Sequence, residues 1–166
     1  MNRRTTLTVV SLPAMLPSSI VVAQGLKQQL TGAWTRVSAE DTAPDGTKHQ
    51  YFGANPKGIM ILDASGRYAA VTMRPGRSKF KDSKNLRLDT PAAEYAEAAR
   101  AYAATFGTWS VNESEKTLIL KYEGTLIPNA EGSEVKVSIN LAGDELKTVS
   151  TSALGKTEGV YRRAKY

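Results

Sequence analysis

From residue 31 onward the chain is made of short runs in which apolar and polar residues alternate, each run ending in turn-forming residues. The clearest run is 134–141, where Val135, Val137, Ile139 and Leu141 alternate with Glu134, Lys136, Ser138 and Asn140. Successive side chains of an extended strand point to opposite faces, so this pattern predicts a strand with one buried and one wet face. Residues 117–125 behave alike: Leu118, Leu120, Tyr122 and Gly124 share the predicted inward face, against Ile119, Lys121 and Glu123. Asp63-Ala64-Ser65-Gly66, Asn112-Glu113-Ser114-Glu115 and Ala142-Gly143-Asp144 join neighbouring runs through residues suited to tight turns. Strands are expected over 31–38, 47–52, 58–63, 67–74, 106–112, 117–126, 134–141, 145–151 and 158–164. Connections this short make sequence neighbours spatial neighbours, and about eight or nine strands in a meander suffice to close a small barrel.

One segment departs from the rhythm. Residues 92–104 are rich in alanine and carry Tyr95, Ala99 and Tyr102 at helical spacing, with Phe106 just beyond. Thr90 is placed to cap this helix, Pro91 suits its first position, and Glu94 complements the dipole of its first turn. The expected fold is therefore all-β: an antiparallel up-and-down barrel of eight or nine strands, with one α-helix inserted at about 91–104.

The chain has 166 residues, enough for one domain with a sizeable core, and 41% hydrophobic and 23% charged residues place it among globular proteins. It has no cysteine, so disulfides and thiolate metal sites are excluded and stability must come from the core. Residues 1–23 have the layout of a signal peptide: Arg3 and Arg4, an apolar stretch over 7–22, then Val21 and Ala23 before Gln24. Pro13, Pro17 and three serines interrupt the stretch, which is too broken to span a membrane. The residues after Arg4 match a twin-arginine leader poorly. The expectation is export to the periplasm or the medium, with residues 24–166 as a single mature domain. The formal charge of +6 loses two with Arg3 and Arg4, leaving +4. The dense basic cluster, Arg74, Arg77, Lys79 and Lys81 near Arg67 and Lys84, reads as a solvated loop or the mouth of a site for an anionic group. It lacks the series of aromatic platforms that stack bases, so a nucleic-acid partner is not expected.

Both ends of the predicted barrel carry a familiar pairing. Gly32-Ala33-Trp34 matches the Gly-x-Trp of lipocalins, and Arg163 matches their closing arginine, with Arg162 as the alternative. An indole at the base of a barrel offers its π-face to a guanidinium and its N–H to a carbonyl. The run Phe52-Gly53-Ala54-Asn55-Pro56-Lys57-Gly58 is followed by Gly66-Arg67-Tyr68, Met73-Arg74-Pro75, Lys79-Phe80, Phe106-Gly107-Thr108-Trp109 and Gly124-Thr125-Leu126-Ile127-Pro128-Asn129. Together these resemble the lipocalin-like domain family of bacteria and fungi, over roughly residues 30–165. The resemblance implies a small-molecule-binding barrel and supplies no catalytic residues. The chain departs from secreted transport lipocalins in its mid-chain helix and its lack of disulfides.

His49 is the only histidine, which rules out a multi-histidine metal site; the sequence also offers no evident set of partners for a catalytic triad. It reads as a rim histidine, with ligand contact or acid–base work as the alternative. Glu40 and Asp41 precede the loop residues Pro44-Asp45-Gly46 and read as loop carboxylates. No metal or cofactor is implied. Function then attaches to the barrel interior, whose expected wall comprises Tyr51, Met60, Leu62, Tyr68, Met73, Trp109, Leu118, Leu120, Tyr122, Val135, Val137, Ile139, Leu146 and Thr148. Of these, Tyr51, Met60, Tyr68, Met73, Trp109, Leu120, Tyr122, Val137 and Thr148 are the candidate ligand contacts, with Arg74 or Arg77 meeting an acidic head group at the mouth. The leading expectation is binding, sequestration or transport of a small hydrophobic or amphipathic molecule. The alternatives are a cavity enzyme of isomerase or cyclase type, using His49, Tyr51, Tyr68 or an arginine for proton transfer, and a structural barrel with a filled core. Nothing in the sequence reports on oligomeric state.

Export makes a direct prediction: intact-mass analysis of the protein recovered outside the cytoplasm should find a chain beginning at Gln24. Recovery of a chain beginning near Met1 would overturn it.

Overall fold

The computed structural model describes residues 25–81, 90–153 and 155–165. The leader 1–23 and Lys84 lie outside the described residues. The elements, in chain order, are α1 (Leu26–Leu30), β1 (Gly32–Thr42), β2 (Lys48–His49), β3 (Lys57–Leu62), β4 (Arg67–Met73), α2 (Ala92–Arg100), β5 (Tyr102–Asn112), β6 (Thr117–Thr125), β7 (Glu134–Ala142), β8 (Glu145–Ser152) and β9 (Gly155–Arg163). Neighbours pair in the order β2-β1-β3-β4-β5-β6-β7-β8-β9, and β1 pairs with β9 to close the sheet. Every pairing is antiparallel, so β1 and β3–β9 form a closed eight-stranded barrel, with the two-residue β2 added beside β1. Closure leaves each barrel strand hydrogen-bonded on both sides, so the long alternating runs have no exposed edge along most of their length.

The connections sort the barrel into two ends. The β3–β4, β5–β6 and β7–β8 turns lie at one end. Asp63 Oδ1 accepts the Ser65 N–H at 2.8 Å and Asn112 Oδ1 accepts the Glu115 N–H at 3.2 Å, local bonds that hold two of these turns. The opposite end carries the long connections, including α2 and the basic segment 74–81. The turn end is sealed. Trp34 is fully buried there, its Nε1 donates to the Leu30 carbonyl at 2.8 Å, and α1 lies across the opening with Leu30 inserted. The Arg163 guanidinium sits 4.3 Å over the Trp34 ring and donates to the carbonyls of Thr31 (3.3 Å) and Gln29 (2.6 Å). One side chain thus ties the last strand, the first strand and the plug together. Leu62, Leu118, Ile139, Leu146 and Trp109 fill the volume above it.

The barrel is the expected one, and its differences from expectation lie at boundaries. The helix expected to run to residue 104 ends at Arg100, and Tyr102, Ala103 and Ala104 belong to β5. Ladder bonds decide this: Met73, Thr72 and Val71 of β4 pair with Tyr102, Ala103 and Ala104, and a sheet partner outweighs weak helix preference. Thr90 does not cap α2. Pro91 occupies the cap position with extended ψ of 139°, and the Thr90 hydroxyl is buried without a partner. The strand expected over 47–52 shrinks to β2, with Tyr51 and Phe52 in a turn. α1 was not expected, since its five residues adjoin the leader and carry no cap signal.

Two bulges break the period of two. Between β1 and β9 the register shifts at Arg36/Ser38, making Val37 the extra residue and turning it outward, 39% exposed. Between β5 and β6 it shifts at Phe106/Gly107, so Gly124 pairs with Phe106 while Tyr122 pairs with Gly107. Cross-strand partners share a face. Phe106 is half exposed with its ring against Gly124, so Gly124 lies on the outer face and not with Leu118, Leu120 and Tyr122 as expected.

The plug makes a stability prediction. Trp34→Ala should lower stability by about 3–5 kcal/mol and Arg163→Met by about 1–2 kcal/mol, read from urea unfolding. An Arg163→Met loss as large as that of Trp34→Ala would show that the cation holds more than the indole.

Candidate functional site

Above the plug, the barrel wall surrounds a cavity of about 230 Å³ that is open on one side. Its wall follows from register: Met60 pairs with Ala70, Ala70 with Thr105, Leu120 with Val135, Leu118 with Val137 and Thr148 with Gly159, each pair facing inward. Tyr122, Tyr161, Thr72 and Ser150 complete the girdle, and Phe52 reaches in from the connection before β3. Apolar side chains dominate, with hydroxyls spaced around them, as in sites that hold one small molecule and fix its orientation.

The structure divides the sequence candidates into three groups. Met60, Leu120, Tyr122, Val137 and Thr148 line the cavity, as do Leu118 and Val135. Tyr68 and Trp109 lie below it. Trp109 belongs to the sealed end, where its Nε1 donates to the Asp63 carbonyl at 2.8 Å and Lys27 Nζ stands 5.6 Å from its ring. Tyr68 is buried, 6.5 Å from the Tyr122 ring. Tyr51, Met73 and Arg74 lie outside the barrel interior. Tyr51 is 53% exposed and stacks on His49 at 5.2 Å, so the only histidine also stands outside the cavity wall. Arg74 Nε donates to the Tyr51 carbonyl at 3.1 Å, and Arg77 Nη2 reaches the Met73 sulfur at 3.5 Å. Arg74, Arg77, Lys79 and Lys81 border a surface groove of about 250 Å³ against Glu94 and Glu97 of α2. That groove is built of the 74–81 segment and α2; the interior cavity is walled by barrel strands and mostly apolar side chains, so the strand cavity is the candidate site.

Several wall residues were not expected from the sequence, among them Phe52, Ala70, Thr72, Thr105, Tyr161 and the charged Arg36. The β1 bulge keeps both Arg36 and Ala39 facing inward despite their odd spacing, since Arg36 pairs with Tyr161 and Ala39 with Gly159. A signal existed: Arg36 stands two residues after Trp34, so a strict period of two already put it on the buried face. The Arg36 guanidinium lies 4.5 Å over the Tyr161 ring, and its Nε is buried with no hydrogen-bond partner.

Burial also acts on the phenols. Tyr68 is pushed up to about 12, by desolvation first, which Thr105 opposes and Tyr122 and Glu123 reinforce. Tyr122 is raised by desolvation and by Tyr161 beside it. Both phenols therefore stay neutral across the physiological range. Among the described residues no group of three or more His, Cys, Asp or Glu side chains is placed to hold a metal ion. No helix among them is long and apolar enough to cross a membrane.

A lipocalin-like domain matches residues 31–163, from the residue before β1 to the last residue of β9. The chain belongs to the lipocalin-like domain family. Among solved structures this lipocalin-like barrel is similar to a redesigned β-barrel, at 14% identity and TM-score 0.42, covering 86% of this chain and 100% of that one. It is also similar to a de novo designed fluorescence-activating β-barrel, at 12% identity and TM-score 0.42, with coverage of 86% and 100%. A variant of the fluorescent protein UnaG matches at 11% identity and TM-score 0.39, with coverage of 82% and 97%. No relative is found among curated proteins.

The raised Tyr68 predicts alkaline behaviour. An unfolded tyrosine titrates near 10, so folding favours the neutral phenol; the contribution is whole below pH 10 and is lost as pH rises toward 12. Tyr68→Phe also removes a buried hydroxyl that Thr105 supports only weakly. Urea unfolding should show the variant equal to or up to about 1 kcal/mol more stable at pH 7. Its stability should also fall less steeply between pH 10 and 12, and an unchanged alkaline slope would contradict the assignment.

Proposed function

We propose that this lipocalin-like barrel binds one small, mostly apolar molecule inside its strands. The observation that carries this reading is the cavity of about 230 Å³ inside the barrel, open on one side, walled largely by apolar side chains from β3–β7 and left unfilled above a densely packed plug. Plain core would have closed that volume, because protein interiors pack close to crystal density. At about 30 Å³ per water the space suits roughly eight waters, or a ligand of about eight to ten non-hydrogen atoms. The proposed setting is outside the cytoplasm, on the leader pattern of residues 1–23.

Methyl-resolved NMR titration with 1-octanol and octanoate tests this. Saturable shifts are expected at the Met60 and Val137 methyls. Leu120→Trp should abolish them by filling the cavity, at an overpacking cost of about 1–3 kcal/mol. Absence of any shift with either compound in the wild-type protein would defeat the reading.

A further inference from the structure

We propose that Arg36 sets the ligand class: the cavity takes a small apolar carboxylic acid, head group inward, with its carboxylate against the free edge of the Arg36 guanidinium. The inference rests on the binding function proposed above and places the head group inside the barrel instead of at Arg74 or Arg77.

Among the residues that line the cavity, Arg36 alone is charged. It forms no ion pair and no hydrogen bond with any described residue, and its Nε is buried without a partner. Arg36 is half-buried, and burying part of a guanidinium is costly unless something compensates it; a fold that needed only bulk at this position would place an apolar residue there. The nearby carboxylate of Asp41 does not serve: its Oδ1 accepts the Thr157 hydroxyl at 2.6 Å, and it borders the outer groove beside His49.

The surroundings hold the guanidinium and leave one side open. Tyr161 covers a face at 4.5 Å, which leaves the in-plane N–H groups, the geometry that pairs bidentately with a carboxylate. Two glycines clear the space. A Cβ on Gly159 would lie 2.8 Å from Arg36 Nη1 and 2.8 Å from Thr148 Oγ1; one on Gly58 would lie 3.1 Å from Arg36 Cβ and collide with the Val71 carbonyl. The Thr148 hydroxyl is already committed to the Gly159 carbonyl at 3.2 Å. The phenols of Tyr122 and Tyr161 also line the cavity, and burial raises that of Tyr122, which keeps it a neutral donor. Met60, Leu118, Leu120, Val135 and Val137 are left to hold a short hydrocarbon or aromatic tail. A neutral ligand of the same length would leave the cation unpaired, whereas a carboxylate compensates it at a partly desolvated site, where the attraction is stronger than in water.

The test compares octanoate with 1-octanol at pH 7 in wild type, Arg36→Met, Arg36→Lys and Arg74→Met, using the same methyl shifts. Wild type should prefer octanoate by about tenfold or more. Arg36→Met should abolish the preference while leaving 1-octanol affinity within about twofold, and Arg36→Lys, a charge without the planar fork, should fall between. Without ligand, Arg36→Met should unfold at a urea midpoint equal to or above wild type, since it removes an uncompensated charge. If Arg36→Met fails to fold, Gly159→Ala serves instead: it crowds the guanidinium and should weaken octanoate selectively. Octanol binding without preference for octanoate overturns this inference alone. Preference that survives Arg36→Met, or that is lost in Arg74→Met instead, also overturns it. Binding of neither compound removes it together with the proposed function.

Discussion

The barrel depends on a single seam, the pairing of β1 with β9, and on the Trp34–Arg163 contact that locks it. Closure brings together strands more than a hundred residues apart and must offset the entropy of that long loop. It does so with a run of ladder bonds and with one guanidinium that reaches the Trp34 ring and two carbonyls next to α1. Once the seam is shut, each barrel strand has two neighbours and the alternating side chains have a common inside. Without it, the same strands would form an open sheet with two reactive edges and no enclosed volume.

The plug and the cavity are consequences of how that inside is filled. At the sealed end two tryptophans, leucines and α1 occupy the space, with both indole N–H groups bonded to carbonyls. Higher up the wall turns to smaller residues, Ala70, Thr72, Ala103 and Thr105, and to glycines where Arg36 approaches the backbone. Large below and small above gives a barrel that is filled at one end and hollow at the other. The unpaired cation in the hollow part is the feature that packing alone leaves unexplained.

Much of this was legible in the alternation. The strands at 117–126, 134–141 and 145–151, the three tight turns and the inward set of Leu118, Leu120, Tyr122, Val135 and Val137 follow from period two and turn chemistry. The boundary of the helix did not, because residues 102–104 are adequate in a helix or a strand and β4 supplied the deciding hydrogen bonds. Tyr51, Met73 and Arg74 were drawn inward by residue type, although they stand where the strands give way to connections and alternation no longer dictates a face. Arg36 is the opposite case: a charged residue type goes with solvent exposure, while its position two residues from Trp34 puts it on the inward face.

The amino-acid order by itself determined the class of fold and most strand and turn positions, because these rest on local periodicity and turn chemistry; resemblance to lipocalins pointed to Trp34 with Arg163 or Arg162 at the base. Only the tertiary structure decided which alternating residues face a cavity and which a plug, and that a lone arginine points into the cavity. Height along the barrel decides plug or cavity, and the two bulges decide the facing of residues beyond them, such as Ala39 and Gly124; a bulge is a choice of register between strands. Local sequence does not contain that choice until closure imposes it.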